Sequence, residues 1–296
     1  MATWFIVGIE ALYFAAVVAS ILFLRHRRKT RWPFKAEDKL LRGPGEELRR
    51  KLLELDERLA VEVICGILGS LLLFAMGLSL GGKILHLSPF PMIGVAFASP
   101  LIAVVISCVR LAKVWQERQN LFLGWFGERY TAEFLEPVKL TGCRIFHDVP
   151  FSNDGKKFNI DHVAIGSGGV FCIETKTRRK GNPRPGFADN KVFFDGRDLV
   201  WPWAEDNHGL EQAERNALWL TNWIRTEIGE RVHVSPILAL PGWWLEKKPA
   251  RETRLCQVVN PKWLPGMLDK QPAILSPKQV ELISLRFEAR CRDVEE

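Results

Sequence analysis

Three long apolar stretches, at residues 4–24, 61–80 and 92–111, give way after residue 116 to shorter apolar runs broken by turn residues. Apolar runs of about twenty residues match the hydrocarbon core of a bilayer, so the first part of the chain predicts three membrane-spanning helices. Residues 45–59 between the first two predict an amphipathic cytoplasmic segment. The connection at 81–91, rich in Gly and Pro, predicts a tight helical hairpin between the second and third spans. Pro100 lies inside the third, where a membrane helix tolerates it. Beyond residue 116, Leu121, Trp125, Phe126, Tyr130, Phe134 and Leu135 recur near helical spacing and predict a helix over 119–135, ended by Pro137. Ala213, Ala217, Leu220 and Ile228 set out a second helix over 211–228, with Gln212 and Asn216 one turn apart on a polar face. Residues 191–201 read as a hairpin about Asp195 and Gly196, and 231–240 as a buried strand.

The most informative pattern lies at 158–176, where two apolar runs flank Gly166, Ser167, Gly168 and Gly169 and predict a β-hairpin. A turn centred between Ser167 and Gly168 sets Asp161 opposite Glu174. Directly opposed residues have Cβ atoms about 5 Å apart. Lys176, two residues further, shares that face, while Ile160, Phe171 and Ile173 point the other way into a core. Two carboxylates beside an ammonium suit a hard divalent cation, Mg²⁺ or Mn²⁺, held by Asp161 and Glu174, with the Thr175 carbonyl as a further ligand. Such a metal polarises a phosphate and acidifies a water, and Lys176 orients that water or offsets charge on the phosphorane. A lone Glu-x-Lys on a strand is more often a solvated ion pair; the carboxylate at its cross-strand partner position is what raises it above that reading.

Asp161, Glu174 and Lys176 in this order resemble the PD-(D/E)xK nuclease core. The runs beginning at Gly127, His147, Asn159, Gly169, Gln212 and Val258 are similar to the nuclease-related domain (NERD) family over about 124–268. The resemblance implies a restriction-endonuclease-like α/β fold, a mixed sheet flanked by helices. It also implies that Asp161 and Glu174 hold the metal, with Glu128 from the first helix and Gln212 lining the same site. Arg178, Arg179, Lys180 and Arg184 follow directly in a loop and are expected to contact nucleic-acid phosphates.

Charge adds orientation. The formal net charge is +7, but much of the Arg and Lys flanks the apolar spans and says more about membrane topology than about nucleic acid. Basic residues dominate 25–58 and recur at Arg110, Lys113 and Arg118. This puts the N-terminus outside and the C-terminal domain in the cytoplasm, as expected for a protein of a bacterial inner membrane. Glu10 inside the first span predicts partial burial against another span or a second copy of the chain. Six cysteines show no zinc-ligand spacing, and no nucleophile triad, phosphate-cradling glycine loop or dinucleotide fingerprint occurs. His162 is expected to point away from Asp161, and His147 with Asp148 lacks a second metal-binding element. The residues from Asp293 form a short acidic tail, expected to be mobile.

The expected organisation is a membrane region at 1–116 and a cytoplasmic nuclease-like domain at 117–296. The expected activity is metal-dependent hydrolysis of phosphodiester bonds, in DNA ahead of RNA. A non-catalytic, membrane-tethered nucleic-acid-binding or scaffolding module on the same fold is the alternative, and an ion or solute pathway has too little material in three spans.

Overall fold

The computed structural model describes residues 12–23, 26, 39–83, 89–153, 155–248 and 254–294. Two compact units divide the chain, one of residues 1–38 with Leu52–Gln119, the other of Lys39–Lys51 with Asn120–Glu296.

The first unit holds the apolar helices. Helix α1 is described over Leu12–Phe23; the remainder of the predicted 4–24 span, Glu10 included, lies outside the described residues, as do 84–88 of the predicted connection. Helices α2 (Glu46–Lys83, 38 residues) and α3 (Pro89–Leu135, 47 residues) run through the predicted boundaries without a break. The amphipathic segment 45–59 and the span 61–80 are one helix, and the span 92–111 continues into the helix predicted at 119–135. No Gly or Pro interrupts either junction, so nothing in the backbone ends the helix there. Within this unit α2 and α3 lie antiparallel. A Cβ added to Gly77 would come within 2.8 Å of Ala96 Cα, the Phe74 and Phe97 rings meet at 5.2 Å, and Arg118 pairs with Asp56. Ile64, Ile67, Leu71, Val105 and Val109 face outwards. Both helices are long and apolar enough to cross a membrane.

The second unit is built on a five-stranded mixed sheet in the order β2-β3-β4-β7-β9. Strands β2 (Arg144–Asn153), β3 (Lys156–Gly166) and β4 (Gly169–Thr175) form an antiparallel meander, while β7 (Val234–Ala239) and β9 (Gln257–Val259) continue it in parallel. Parallel neighbours need a crossover, and helix α4 (His208–Ile228) supplies it between β4 and β7. The predicted 211–228 helix and 231–240 strand are these two elements. On one face, Ala217, Leu220 and Ile224 of α4 and Ile283 and Phe287 of α6 (Pro277–Cys291) cover Val163, Ile165, Val170 and Cys172. On the other, Leu135 of α3 and Leu264 and Leu268 of the short α5 (Leu264–Asp269) pack with Phe171, Ile173 and Ile237. The hairpin about Asp195 and Gly196 forms as β5 (Lys191–Phe194) and β6 (Leu199–Val200), with Gly196 at φ +94, and pairs with β8 (Trp244–Lys247) in a separate small sheet.

Two local expectations are corrected. Ile160 is buried, but with Val163 and Ile165 rather than with Phe171 and Ile173. In a regular strand residues an odd number apart lie on opposite faces. Phe146 and Val149 likewise share a cluster, so β2 and β3 both exchange faces at Asp148, whose φ is +47, and at its neighbour Asp161. Second, the residues around Asp293 are a strand, β10 (Arg292–Val294), paired antiparallel with β1 (Leu40–Leu41), rather than a loose tail.

Candidate nuclease site

The face exchange places the acidic residues. Pairing of β3 with β4 has its last partners at His162 and Ile173, a register whose next pair is Asp161 and Glu174. At that point β3 leaves the ladder, and the Asp161 carboxylate takes the place of the missing backbone acceptor: its Oδ2 accepts the Thr175 N–H at 2.7 Å. Among the described residues no protein donor reaches its Oδ1. On β2 and β3, the pairs His147–His162 and Val149–Ile160 bracket Asp148 and Asp161, so these two residues stand opposite each other where the pairing lapses.

Glu174 is buried, and both its oxygens are engaged. Lys176 Nζ donates to Oε1 at 2.7 Å, and Asn216 Nδ2 donates to Oε2 at 3.3 Å. The same ammonium donates to Gln212 Oε1 at 3.0 Å. Gln212 and Asn216 therefore share a face of α4 that meets the end of β4. Gly209 permits that approach, since a Cβ there would lie 2.9 Å from Lys176 Cγ and 3.2 Å from a Leu238 methyl. Beyond the strand, the Lys176 N–H donates to the Ala239 carbonyl at 3.0 Å and fixes the backbone beneath the side chain.

Glu128 reaches the cluster from the last turns of α3. It is buried, with its carboxylate beside Gly45, whose backbone N–H works to lower its pKa. Burial, then the charges of Asp148 and Glu174, push its pKa up to about 8. Asp161 rises well above the usual carboxylate range through burial and then through Glu174 and Glu128, and Glu174 rises through burial against the opposing pull of Lys176. Burial alone would lower the Lys176 ammonium, but Glu174 holds it above its ordinary value, so it stays cationic. Buried carboxylates with raised pKa values around one ammonium are the electrostatic signature of a site short of positive charge.

Asp148 was missing from the expected site. Its Oδ2 accepts from Arg42 Nη1 at 2.9 Å and from the Glu47 N–H at 2.7 Å, and its Oδ1 accepts from Asn159 Nδ2 at 2.7 Å. Burial raises it to about 6 against these donors. Two of the four carboxylates thus rest on the start of α2, where unpaired backbone N–H groups and the helix dipole favour negative charge. Gly45, at φ +69, makes this possible: a Cβ would meet Trp125 at 2.9 Å. The domain expected at 117–296 therefore gains Lys39–Lys51 as part of the unit that holds the site.

His147 and His162 do not join the cluster. Their Nδ1 atoms meet at 2.9 Å, and burial pushes His147 down to about 4 and His162 well below its ordinary value, so both are neutral. Cys172 packs as a small core residue, and all six cysteines are free.

A cavity of about 1030 Å³ opens beside the acids, with Glu128, Asp148, Asp161 and Gln212 in its wall. Its basic residues are Arg42, Arg50, Lys51, Lys157, Arg286 and Arg290. Arg178, Arg179, Lys180 and Arg184 do not line it. Arg178 pairs with Asp206 and lies over the Trp201 ring, and Arg184 donates to the carbonyls of Pro202 and Trp201. Two of the four loop cations thereby tie the loop to the β6 region. Among the described residues no set of three or more His, Cys, Asp and Glu side chains is grouped to hold a metal ion by itself.

Residues 123–241 match the nuclease-related domain (NERD) family. The match spans α3 from Leu123 to just beyond β7, and so contains Glu128, Asp148, Asp161, Glu174, Lys176 and Gln212. This part of the chain is a nuclease-related domain with the restriction-endonuclease-like fold, a mixed sheet flanked by helices. No curated protein and no solved structure matches the chain.

Proposed function

We propose that this nuclease-related domain hydrolyses phosphodiester bonds in nucleic acid, DNA ahead of RNA, with a divalent metal and from a membrane anchor. The observation that carries the reading is the convergence of Glu128, Asp161, Glu174, Lys176 and Gln212, from four elements, with Glu128, Asp161 and Gln212 in the wall of one cavity and Glu174 and Lys176 directly behind them. The donor set fits a hard cation: Asp161 Oδ1 has no protein donor among the described residues, and the charge of Glu174 raises both Asp161 and Glu128. Mg²⁺ is commonly held by one or two carboxylates plus substrate phosphate, so a full protein cage is not required. Asp161 and Glu174 would hold Mg²⁺ or Mn²⁺, which supplies Lewis-acid polarisation of the phosphate and acidification of a water.

The chain's own groups divide the remaining work. Lys176, cationic and oriented by Glu174 and Gln212, donates to a non-bridging phosphate oxygen and offsets the charge that grows on it. Glu128, in the cavity wall and ionised once a cation offsets the neighbouring acids, would take the proton of the attacking water as its oxygen bonds to phosphorus and the ester oxygen leaves. Asn216 fixes Glu174 from the other side. Basic residues at 25–58 and 110–118 beside the apolar helices favour a cytoplasmic domain with the N-terminus outside, in a bacterial inner membrane.

The full chain in detergent, given labelled single-stranded DNA, duplex DNA and RNA with Mg²⁺, Mn²⁺ or EDTA, is expected to cleave only with metal. Glu174→Ala is expected to lower cleavage to background with a normal melting profile. A variant that cleaves as well as the parent would refute the mechanism. The complete engagement of both Glu174 oxygens favours one second reading, a binding module without turnover; it predicts salt-sensitive binding with no cleavage in any metal.

A further inference from the structure

The cavity beside the acids carries more than the nuclease reading uses. Its wall mixes cations with aromatic rings. Arg50 and Lys51 come from the start of α2, Lys157 from β3 and Arg286 from α6, and between them lie the half-buried rings of Phe158 and Trp223. The cations are available. Lys157 has no ion pair among the described residues, Lys51 and Arg286 reach Glu47 and Glu227 only at 3.4 and 3.9 Å in exposed pairs that add little, and Arg50 reaches the buried Glu46 only at 3.6 Å. The rings are held in place: Trp223 packs edge-on against Phe287 and Phe151 with the Arg290 guanidinium 5.3 Å from its centroid, and Phe158 packs edge-on against Trp219. Their positions are therefore set before any ligand arrives.

A groove with a charged track and fixed aromatic faces is how sequence-tolerant single-strand binders are built, because each base offers a face to stack and each linkage a phosphate. Duplex readers instead present a helix or ribbon to a groove and touch the backbone from outside. Here Asp161 and Glu128 lie in the cavity wall, so the scissile phosphate must enter, and paired, stacked bases would hold it back.

We infer that this cavity takes a single-stranded polynucleotide, with its phosphates along Arg50, Lys157 and Arg286 and its bases against Trp223 and Phe158. The inference rests on the nuclease reading for the placement of the scissile bond, but the binding it describes stands apart from turnover. The loop at Arg178–Arg184 is secondary in this arrangement, since none of its cations lines the cavity.

The test is fluorescence anisotropy of the full chain in detergent with EDTA, using short fluorescein-labelled oligo(dT), oligo(rU) and a blunt duplex of equal length. Either single strand is expected to bind about 10-fold or more tightly than the duplex, and the two single strands separate DNA from RNA preference within the class. Trp223→Ala is expected to weaken single-strand binding by about 10-fold while Trp223→Phe retains most of it. Lys157→Ala, on an exposed strand end, is expected to reduce the slope of log affinity against log salt by about 0.7. Duplex binding as tight as single-strand binding overturns the inference, as does an unchanged affinity in Trp223→Ala together with an unchanged salt slope in Lys157→Ala. A parallel cleavage assay separates the two readings. Metal-dependent cleavage with duplex preference overturns this inference alone, whereas single-strand binding that never leads to cleavage supports it and removes the nuclease reading.

Discussion

The β3–β4 hairpin and the Lys39–Lys51 segment hold site carboxylates by opposite means. In the hairpin, Asp161 and Glu174 are neighbours because of register, and their charges are left close together with Lys176 as the near cation. The Lys39–Lys51 segment contributes donors instead: Arg42 and the Glu47 N–H on Asp148, and the Gly45 N–H on Glu128. One region concentrates negative charge and the other contains it. Asp161 and Glu174 are thus kept under electrostatic tension while the flanking acids are partly neutralised, a division that would be lost in a smoothly paired sheet.

The sharpest way to break the containing side is Arg42→Met. Arg42 and Asp148 side chains are each only 5% exposed, so the variant strands a buried carboxylate. Removing one partner of a buried pair costs about 3–5 kcal/mol. Asp148 starts near 6, and without Arg42 its pKa climbs further; the loss is therefore expected to be largest above pH 6 and to shrink in acid as the carboxyl takes a proton. The double variant Arg42→Met with Asp148→Asn is expected to recover much of the melting temperature. If it melts no higher than the single variant, the pair is not what the segment contributes.

The concentrating side is tested by pH. Glu128 stands at about 8 against an ordinary 4.5, so the folded chain binds a proton there that the unfolded chain releases. The associated stability is fully present below about pH 4.5 and is lost as pH rises through 8; Asp148 adds a loss in the same direction through about 6. In EDTA the melting temperature is expected to fall from about pH 5 to about pH 8. Glu128→Gln keeps an acceptor for Gly45 and removes the charge. It is expected to match the parent near pH 5 and exceed it near pH 8, by on the order of 1–3 kcal/mol. A variant that tracks the parental slope throughout would place the tension elsewhere.

How much of this was readable along the chain follows from the range of each interaction. Asp161 opposite Glu174, with Lys176 beside it, depends on one turn centre and a period of two, so local spacing sufficed, as it did for Gln212 and Asn216 on α4. The same device would have found Asp148. Centring a turn between residues 154 and 155, an Asp-Gly pair, sets Asp148 opposite Asp161, the register that the paired strands adopt. Beside its neighbour His147 alone, Asp148 shows no such partner, because adjacent strand residues lie on opposite faces. Arg42 and Glu47 had no such signal. They lie 106 and 101 residues from Asp148, next to an apolar helix whose pattern assigns them to the membrane region. The partners of the basic loop at 178–184 are hidden for a related reason: composition shows charge, but only the fold shows that Arg178 has Asp206 and Arg184 has backbone carbonyls as partners. The uninterrupted α2 and α3 were hidden because hydropathy changes at residues 60 and 116 while helix propensity does not.

The smallest test separates charge from hydrogen bonding on Asp148. Asn159 donates to Oδ1 at 2.7 Å from a half-buried position, opposite the guanidinium on Oδ2. A neutral donor to a carboxylate contributes about 1–2 kcal/mol, and water can enter in its place at a partly exposed site. Asn159→Ala is therefore expected to lower stability by about 1 kcal/mol at neutral pH, well below the Arg42 variant, and to raise the Asp148 pKa above 6 because a hydrogen bond to the charged form is lost. Thermal melts across pH read both effects, since the extra loss should fade in acid. A cost equal to that of Arg42→Met would mean that Asp148 is held by its hydrogen-bond geometry, and that the charge at the start of the segment is incidental.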